Sequence, residues 1–274
     1  MKAVLERLVE VLLVKPLRYI KYRTTLVEGN VHLRWTTDPT ATNSGPCHVD
    51  EITPLWPILE RIALDTSAAY VRDNVGSGLI LPRKEELWDY SLAQSKPDGL
   101  YVEFGVHSGT TINYFAEFLA GDTRVEWFQC DWQPVEGLKI FGFDSFQGLK
   151  EDWSGTPVLK NTFDLGGELP TVRPNVILIK GWFDETVQEW LDNNPKPLSF
   201  VHFDADTYES TILVLNLIKD RIRSGTIIVF DEYLCWWNWD SGGEFRAWQE
   251  FCSENEVQYR YLVFTGPQVS VQIL

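Results

Sequence analysis

Two carboxylates stand two residues apart at the end of an apolar run in the segment LSFVHFDADTYES, residues 198–210. If the strand continues that far, Asp204 and Asp206 point the same way, because side chains alternate along a strand. Two like charges on one face repel each other unless a cation or a proton lies between them. A second acidic pair, Asp231 and Glu232, ends the apolar run GTIIVFDEY. The spacing therefore indicates a site built on carboxylate chemistry.

A glycine turn precedes these acids in the segment EFGVHSGTT, residues 103–111. Gly105 and Gly109 let the turn tighten and let the backbone approach a ligand. Ser108 and Thr110 then begin a helix whose free N–H groups would face that ligand. The spacing is E-x-G-x-x-x-G and not the G-x-G-x-x-G that holds a pyrophosphate, which argues against a nucleotide-binding oxidoreductase.

An acid at the end of the strand after this turn would accept hydrogen bonds from ribose hydroxyls, and the sequence offers two. Asp131, in VEWFQCDW, lies closer to the usual separation of about 20 residues from the glycine turn. Asp144, in KIFGFDSFQGL, ends the more apolar strand. The residues alone leave both candidates open.

The elements that must position these side chains change in character along the chain. From residue 99 onward, short apolar runs ending in Gly or Asp alternate with helical segments, which is typical of a parallel sheet covered on both faces. In such a doubly wound α/β sheet, ligands bind beyond the carboxyl ends of the strands, where the acids and the glycine turn fall. The segment YRYLVFTGPQVSVQIL predicts a hairpin at the sheet edge. Residues 1–95 have helical periodicity, so we predict a helical N-terminal cap or lid on a core of residues 96–274.

The composition indicates which kinds of molecule the protein can bind. The 274 residues include 24 Lys and Arg against 39 Asp and Glu, a net charge of −15, which disfavours nucleic acid and anionic membranes. The four cysteines show no CxxC spacing, so we expect reduced thiols and a cytoplasmic protein. The opening MKAVLERLVEVLLVKPLRYIKYR has no cleavage site and contains acids, so it is neither a signal peptide nor a membrane span. A small-molecule ligand is expected, and a homodimer is left open.

Four motifs together resemble the macrocin-type O-methyltransferases, S-adenosylmethionine enzymes that methylate hydroxyls of natural-product sugars: YVEFGVHSGTT, GFDSFQGL, VHFDADTYES and GTIIVFDEY. The resemblance spans about residues 80–265. It implies a class I methyltransferase fold, a Rossmann-like doubly wound sheet of seven strands with the last antiparallel. It also implies that Asp144 is the ribose-binding acid and that Asp131 lies in an insertion, residues 121–138.

The same resemblance implies a site for Mg²⁺ or another divalent cation. Its ligands would be Asp204, Asp231 and Glu232, and Asp206 would then be free to act as the general base. A hard cation takes oxygen ligands and lowers the pKa of a bound hydroxyl. The second acid of the later pair is usually Asp, so Glu232 departs from the pattern. Its extra methylene leaves open a shifted ion, a different ion or a site with only two good ligands.

The resemblance and the turn together assign the S-adenosylmethionine site to Glu103, Gly105, Ser108, Gly109, Thr110, Asp144 and Trp182. Glu103 would organise the turn, and Trp182 would pack on the adenine, with a core aromatic as the alternative. The tryptophans after the second acidic pair, Trp236, Trp237 and Trp239, would contact a glycoside, phenolic or diol acceptor, with ordinary packing as the alternative. The predicted function is a Mg²⁺-assisted O-methyltransferase. A methyltransferase-like protein that binds the cofactor without catalysis is the alternative.

Overall fold

The computed structural model describes part of the N-terminal region and almost all of the remainder: residues 21–27, 30–36, 55–122, 128, 132–153, 156 and 158–274. The chain divides into two units, residues 1–59 and residues 60–274. In the first unit, strands β1 (Lys21–Val27) and β2 (Asn30–Thr36) form an antiparallel hairpin. The helical character predicted for the N-terminal cap does not extend to this hairpin, and residues 1–20 and 37–54 lie outside the described residues.

Strands and helices then alternate along the chain. The helices are α1 (Leu55–Asn74), α2 (Lys84–Gln94), α3 (Thr110–Ala120), α4 (Phe183–Asn193), α5 (Tyr208–Ile218) and α6 (Gly243–Asn255). The strands are β3 (Leu79–Ile80), β4 (Leu100–Phe104), β5 (Ile140–Asp144), β6 (Val176–Lys180), β7 (Leu198–Phe203), β8 (Ile227–Phe230), β9 (Tyr259–Thr265) and β10 (Gln268–Ile273). None of the helices in the described ranges is long and apolar enough to cross a membrane.

One sheet organises the second unit, with the strand order β3-β9-β10-β8-β7-β4-β5-β6. Strands β4 to β8 run parallel, and β10 lies antiparallel between β8 and β9. The predicted doubly wound sheet with an antiparallel last strand is therefore confirmed. The C-terminal hairpin forms as predicted but is not at the sheet edge, because β10 lies between β8 and β9 and β3 pairs outside β9. The eighth strand, β3, has two residues and pairs with β9 at the edge.

The core fixes the central strands in register, because alternate residues pack on opposite faces of the sheet. On one face the rings of Phe104, Phe203 and Phe230 form a continuous stack, with centroids 5.6 and 5.3 Å apart. On the other face Tyr101 and Phe200 lie among the buried residues of α2 and α3. The three stacked phenylalanines end β4, β7 and β8, so the loops that carry the predicted site residues leave the sheet side by side.

Candidate active site

A cavity of about 270 Å³ lies beyond the carboxyl ends of the parallel strands. The residues singled out in the sequence that line it are Gly105, Asp144, Trp182, Asp204, Asp206 and Glu232. The loops after five neighbouring strands thus meet at one site, as expected for a doubly wound sheet. Within the described part of the chain, the lining residues all follow β4, so the predicted lid over the site stays a prediction.

The glycine turn brings the end of β4 against the end of β7. Gly105 has a φ of +94°, and a Cβ there would lie 1.7 Å from the carbonyl oxygen of Asp204. Gly109 caps the start of α3 in the left-handed conformation. The hydroxyls of Ser108 and Thr110 lie 3.1 Å apart at the exposed helix start, outside the cavity lining. Of the two glycines in the predicted motif only Gly105 borders the cavity, together with His107 from the same turn.

Asp144 holds this turn in place from the end of β5. Its Oδ2 accepts hydrogen bonds from the N–H groups of Val106 and His107, both at 2.8 Å. Its Oδ1 accepts from the N–H of Phe146 at 2.6 Å. The carboxylate therefore fixes the glycine turn and lines the cavity at the same time. Asp131, the other candidate, lies outside the described residues.

Glu103 is placed away from the cavity. Its side chain is fully buried, and its Oε1 lies 3.0 Å from Nδ1 of His202 on the neighbouring strand. Burial raises the pKa of Glu103 to about 7. Burial lowers the pKa of His202, but Asp231 and Glu103 outweigh it and raise this pKa to about 10. Glu103 thus forms an internal ion pair beneath the glycine turn, and it does not line the cavity.

Three carboxylates converge on the cavity. Asp204, Asp206 and Glu232 each offer an oxygen, and these oxygens lie within 4.8 Å of one another. Burial and the charge of Asp231 raise the pKa values of all three, to about 7 for Asp206. Oε2 of Glu232 is buried and has no hydrogen-bond partner among the described residues. Hard oxygen donors, mutual repulsion and an unsatisfied oxygen together fit a divalent cation.

Asp231 lies beside this group and not in it. Its Oδ1 accepts a hydrogen bond from Nε2 of Gln268 and lies 3.7 Å from Nε2 of His202. Burial raises the pKa of Asp231, but hydrogen bonds with His202 and Glu232 and the charge of His202 outweigh it, and the net effect is a lowered pKa. Asp231 also shares a hydrogen bond with the side chain of Glu232, so it adjoins the group through that residue. The structure therefore joins Asp206, in place of the predicted Asp231, to Asp204 and Glu232.

Asp206 reaches the group through an unusual backbone conformation. Its φ is +59°, in the left-handed region that residues other than glycine seldom adopt. Backbone strain of this kind concentrates at functional sites. The next residue, Thr207, caps α5 by accepting a hydrogen bond from the N–H of Ser210. The cap fixes the chain direction immediately after Asp206.

Two features of the site were missed from the sequence. Glu244, in the first turn of α6, is buried and accepts a hydrogen bond from the N–H of Glu232 at 3.0 Å. Lys150, on the loop between β5 and β6, lines the cavity, pairs with Asp184 at 2.6 Å and lies 5.5 Å from the ring centroid of Trp182. Neither residue stands in a motif, and each contacts residues 12 or more positions away in the chain.

The tryptophans after the second acidic pair do not line the cavity. Trp239 is buried, and its Nε1 donates to Oγ1 of Thr66, so ordinary packing is the better description. Trp236 donates from Nε1 to the carbonyl oxygen of Glu232, and its ring lies 6.0 Å from that of Trp153. Trp236 therefore supports the cavity wall from behind, through Trp153, which does line the cavity.

Comparison with known proteins identifies the domain type. Residues 102–233 match the model of a methyltransferase domain. No curated protein matches the sequence. The fold resembles the crystal structure of CalS11, a calicheamicin methyltransferase, with a TM-score of 0.53 and 19% identity over 84% of this chain and 99% of that one. The O-methyltransferase NovP gives a TM-score of 0.49 and 20% identity over 69% and 78%.

These findings agree with the topology of the sheet. The chain has the class I methyltransferase fold, and residues 102–233 contain all the residues predicted for the donor and cation sites. The predicted enzyme class, an S-adenosylmethionine-dependent methyltransferase, is therefore confirmed at the level of the domain.

Proposed function

We propose that this chain is an O-methyltransferase that transfers the methyl group of S-adenosylmethionine to a hydroxyl of a sugar or another small natural-product acceptor, assisted by Mg²⁺ or a similar divalent cation. One observation carries the proposal. The cavity that Gly105 and Asp144 line is the same cavity that Asp204, Asp206 and Glu232 line. A site for the methyl donor would thus adjoin a site for the cation and the base.

The donor site would be formed by the Gly105 turn, Asp144 and Trp182. Each carboxylate oxygen can accept about two hydrogen bonds. Oδ1 of Asp144 accepts only one from the described residues, so it keeps capacity for a ribose hydroxyl. Trp182 precedes α4 and lines the cavity, where its ring can stack on a planar base.

The cation would be held by Asp204 and Glu232, whose unsatisfied Oε2 is a ready ligand. When bound, such an ion orients the acceptor hydroxyl and lowers its pKa. Asp206, in the same group, would take the hydroxyl proton as the oxygen attacks the methyl carbon. The carbon–sulfur bond breaks as the carbon–oxygen bond forms, and its electron pair remains on sulfur, which leaves as a neutral thioether. Asp231 and Asp206 compete for the place of third ligand, and variants separate the two roles.

The acceptor would be a small molecule with a sugar or phenolic ring. The aromatic side chains Trp153, Phe163 and Trp182 line the cavity, and such faces stack well against rings and sugar C–H surfaces. The net charge of −15 favours such an acceptor over nucleic acid. A cytoplasmic location is consistent with the unpaired thiols of Cys235 and Cys252.

The first experiment measures S-adenosylmethionine binding by calorimetry with and without Mg²⁺, then screens glycosides and catechols for methylated product by mass spectrometry. Chelation with EDTA should abolish methylation, and added Mg²⁺ should restore it. Equal methylation after exhaustive chelation would remove the cation from the proposal. Binding of S-adenosylmethionine without product from any acceptor would favour the non-catalytic alternative.

Asparagine variants test which carboxylates bind the cation and which one acts as the general base. Asp204→Asn should lose both Mg²⁺ affinity and turnover. Asp206→Asn should keep Mg²⁺ and lose about 10²–10⁴-fold in rate, the usual contribution of a general base. If Asp206→Asn loses Mg²⁺ and Asp231→Asn keeps it, Asp206 is the third ligand. Asp240→Asn, at an exposed position on the following loop, is the matched control and should behave as wild type.

A further inference from the structure

We propose that Glu244 is a positioning residue that holds the two acid-bearing loops in the arrangement that binds the cation; this inference rests on the proposed function. The side chain is fully buried, in the first turn of α6. Its Oε2 accepts a hydrogen bond from the N–H of Glu232 at 3.0 Å. Its Oε1 accepts a longer one, at 3.5 Å, from the N–H of Ala205. One carboxylate thus contacts both loops.

These two contacts fall where the sheet no longer holds the loops together. The N–H of Asp231 donates to the carbonyl oxygen of Phe203 at 3.0 Å, which is the bond that closes the ladder between β7 and β8. Beyond it lie Ala205, between Asp204 and Asp206, and Glu232. Glu244 bridges the chain at these two positions, so it sets how far the oxygens of the three carboxylates lie from one another.

The bridge is attached to a rigid element. The residues after Glu244 in α6 include Ala247 and Trp248, both fully buried in the core. A carboxylate in the first turn of a helix is favoured by the helix dipole, which helps to offset the burial of a charge. Burying an acid next to other acids is otherwise costly, so a role at the site explains the presence of Glu244 better than a role in packing does.

Two variants test the proposal. Glu244→Met is similar in length and accepts no hydrogen bond, whereas Glu244→Gln keeps one carbonyl oxygen for the N–H of Glu232. Loss of a residue that orients metal ligands typically costs about 10–100-fold in metal affinity. We expect that loss of Mg²⁺ affinity in Glu244→Met and a smaller loss in Glu244→Gln. S-adenosylmethionine affinity and the thermal unfolding temperature should change little. Saturating Mg²⁺ should recover most of kcat, which it would not do for a generally damaged fold.

The Mg²⁺ affinities of the wild type and of Glu244→Met separate the positioning role of Glu244 from the existence of the cation site. A folded Glu244→Met that binds Mg²⁺ as wild type does would overturn the inference, while the proposed function would stand. Wild-type protein that binds no Mg²⁺ would instead overturn the cation site itself. If Glu244→Met does not fold, amide hydrogen exchange in wild type and in Glu244→Gln tests whether Glu244 holds the two loops. The N–H of Ala205 should exchange slowly in wild type and faster in Glu244→Gln, whereas the N–H of Glu232 should exchange slowly in both. Fast exchange of both in wild type would show that Glu244 holds neither loop.

Discussion

Gly105→Ala should weaken both the fold and S-adenosylmethionine binding, because the turn has no room for a methyl group. The φ of +94° lies in a region that costs a residue with a side chain about 1–3 kcal/mol. The new Cβ would also lie 1.7 Å from the carbonyl oxygen of Asp204, where ordinary contact begins at 3.4 Å. The difference, about 1.7 Å, must come from the backbone, since no side chain can rotate away. Overpacking of this kind adds about 1–3 kcal/mol.

The chain offers a control that separates the two effects. Gly137 has a φ of +78°, and a Cβ there meets no atom of the described residues within 4 Å. Gly137→Ala should therefore show the conformational cost alone, about 1–3 kcal/mol. Gly105→Ala should lose about 2–6 kcal/mol in the free energy of unfolding. Because the shifted turn would no longer present its backbone to the ligand, we expect a loss of S-adenosylmethionine affinity for Gly105→Ala alone.

Urea denaturation gives the free energy of unfolding of both variants, and calorimetry gives their S-adenosylmethionine affinities. If Gly105→Ala is no less stable than Gly137→Ala and binds S-adenosylmethionine as wild type does, the close contact between the turn and the end of β7 is wrong. A stability loss without a loss of affinity would keep the contact and move the donor site elsewhere.

Three further predictions concern other contacts. Asp144→Asn offers fewer acceptor sites to the three N–H groups that the carboxylate now binds. Calorimetry should therefore show S-adenosylmethionine affinity that is weaker by about 10-fold or more. Wild-type affinity would make Asp131 the candidate for the ribose-binding acid. Tyr70→Phe removes a hydroxyl that lies 2.5 Å from that of Tyr261, and urea denaturation should show a loss of about 1 kcal/mol with unchanged ligand binding. Burial raises the pKa of Cys252 to about 12. Alkylation of this thiol by iodoacetamide at pH 8 should therefore be about 100-fold slower in the native protein than in urea. Equal rates would place the thiol at the surface.

Much of the site follows from one rule of strand geometry. Parallel strands in neighbouring positions end at one edge, so residues after their apolar runs must meet there. Gly105, Asp144 and Asp204 could be predicted for that reason, because each follows a strand that the sequence marks clearly. Asp204 and Asp206 do converge, but strand alternation does not cause it: the strand ends at Phe203, and the left-handed backbone at Asp206 brings its side chain to the group.

The sequence was less informative where a contact depends on a turn or on distant residues. The direction of Asp231 is set by His202 and Gln268, which lie on two other strands. Glu244 reaches Ala205 across 39 positions, a pairing that no local pattern encodes. The strand β3 has only two residues, too few for a period of two to be visible.

Because β10 follows the other strands along the chain and lies inside the sheet, the sheet can be completed only after β10 has been synthesised. Strands β4 to β8 can pair as soon as they emerge, but β9 has no place beside β8 until residues 268–273 have been made. Until then the nascent chain carries an open strand edge at β8, the kind of edge that pairs with other chains. Pairing of β10 with β8 closes that edge, and β9 and β3 join the sheet through β10.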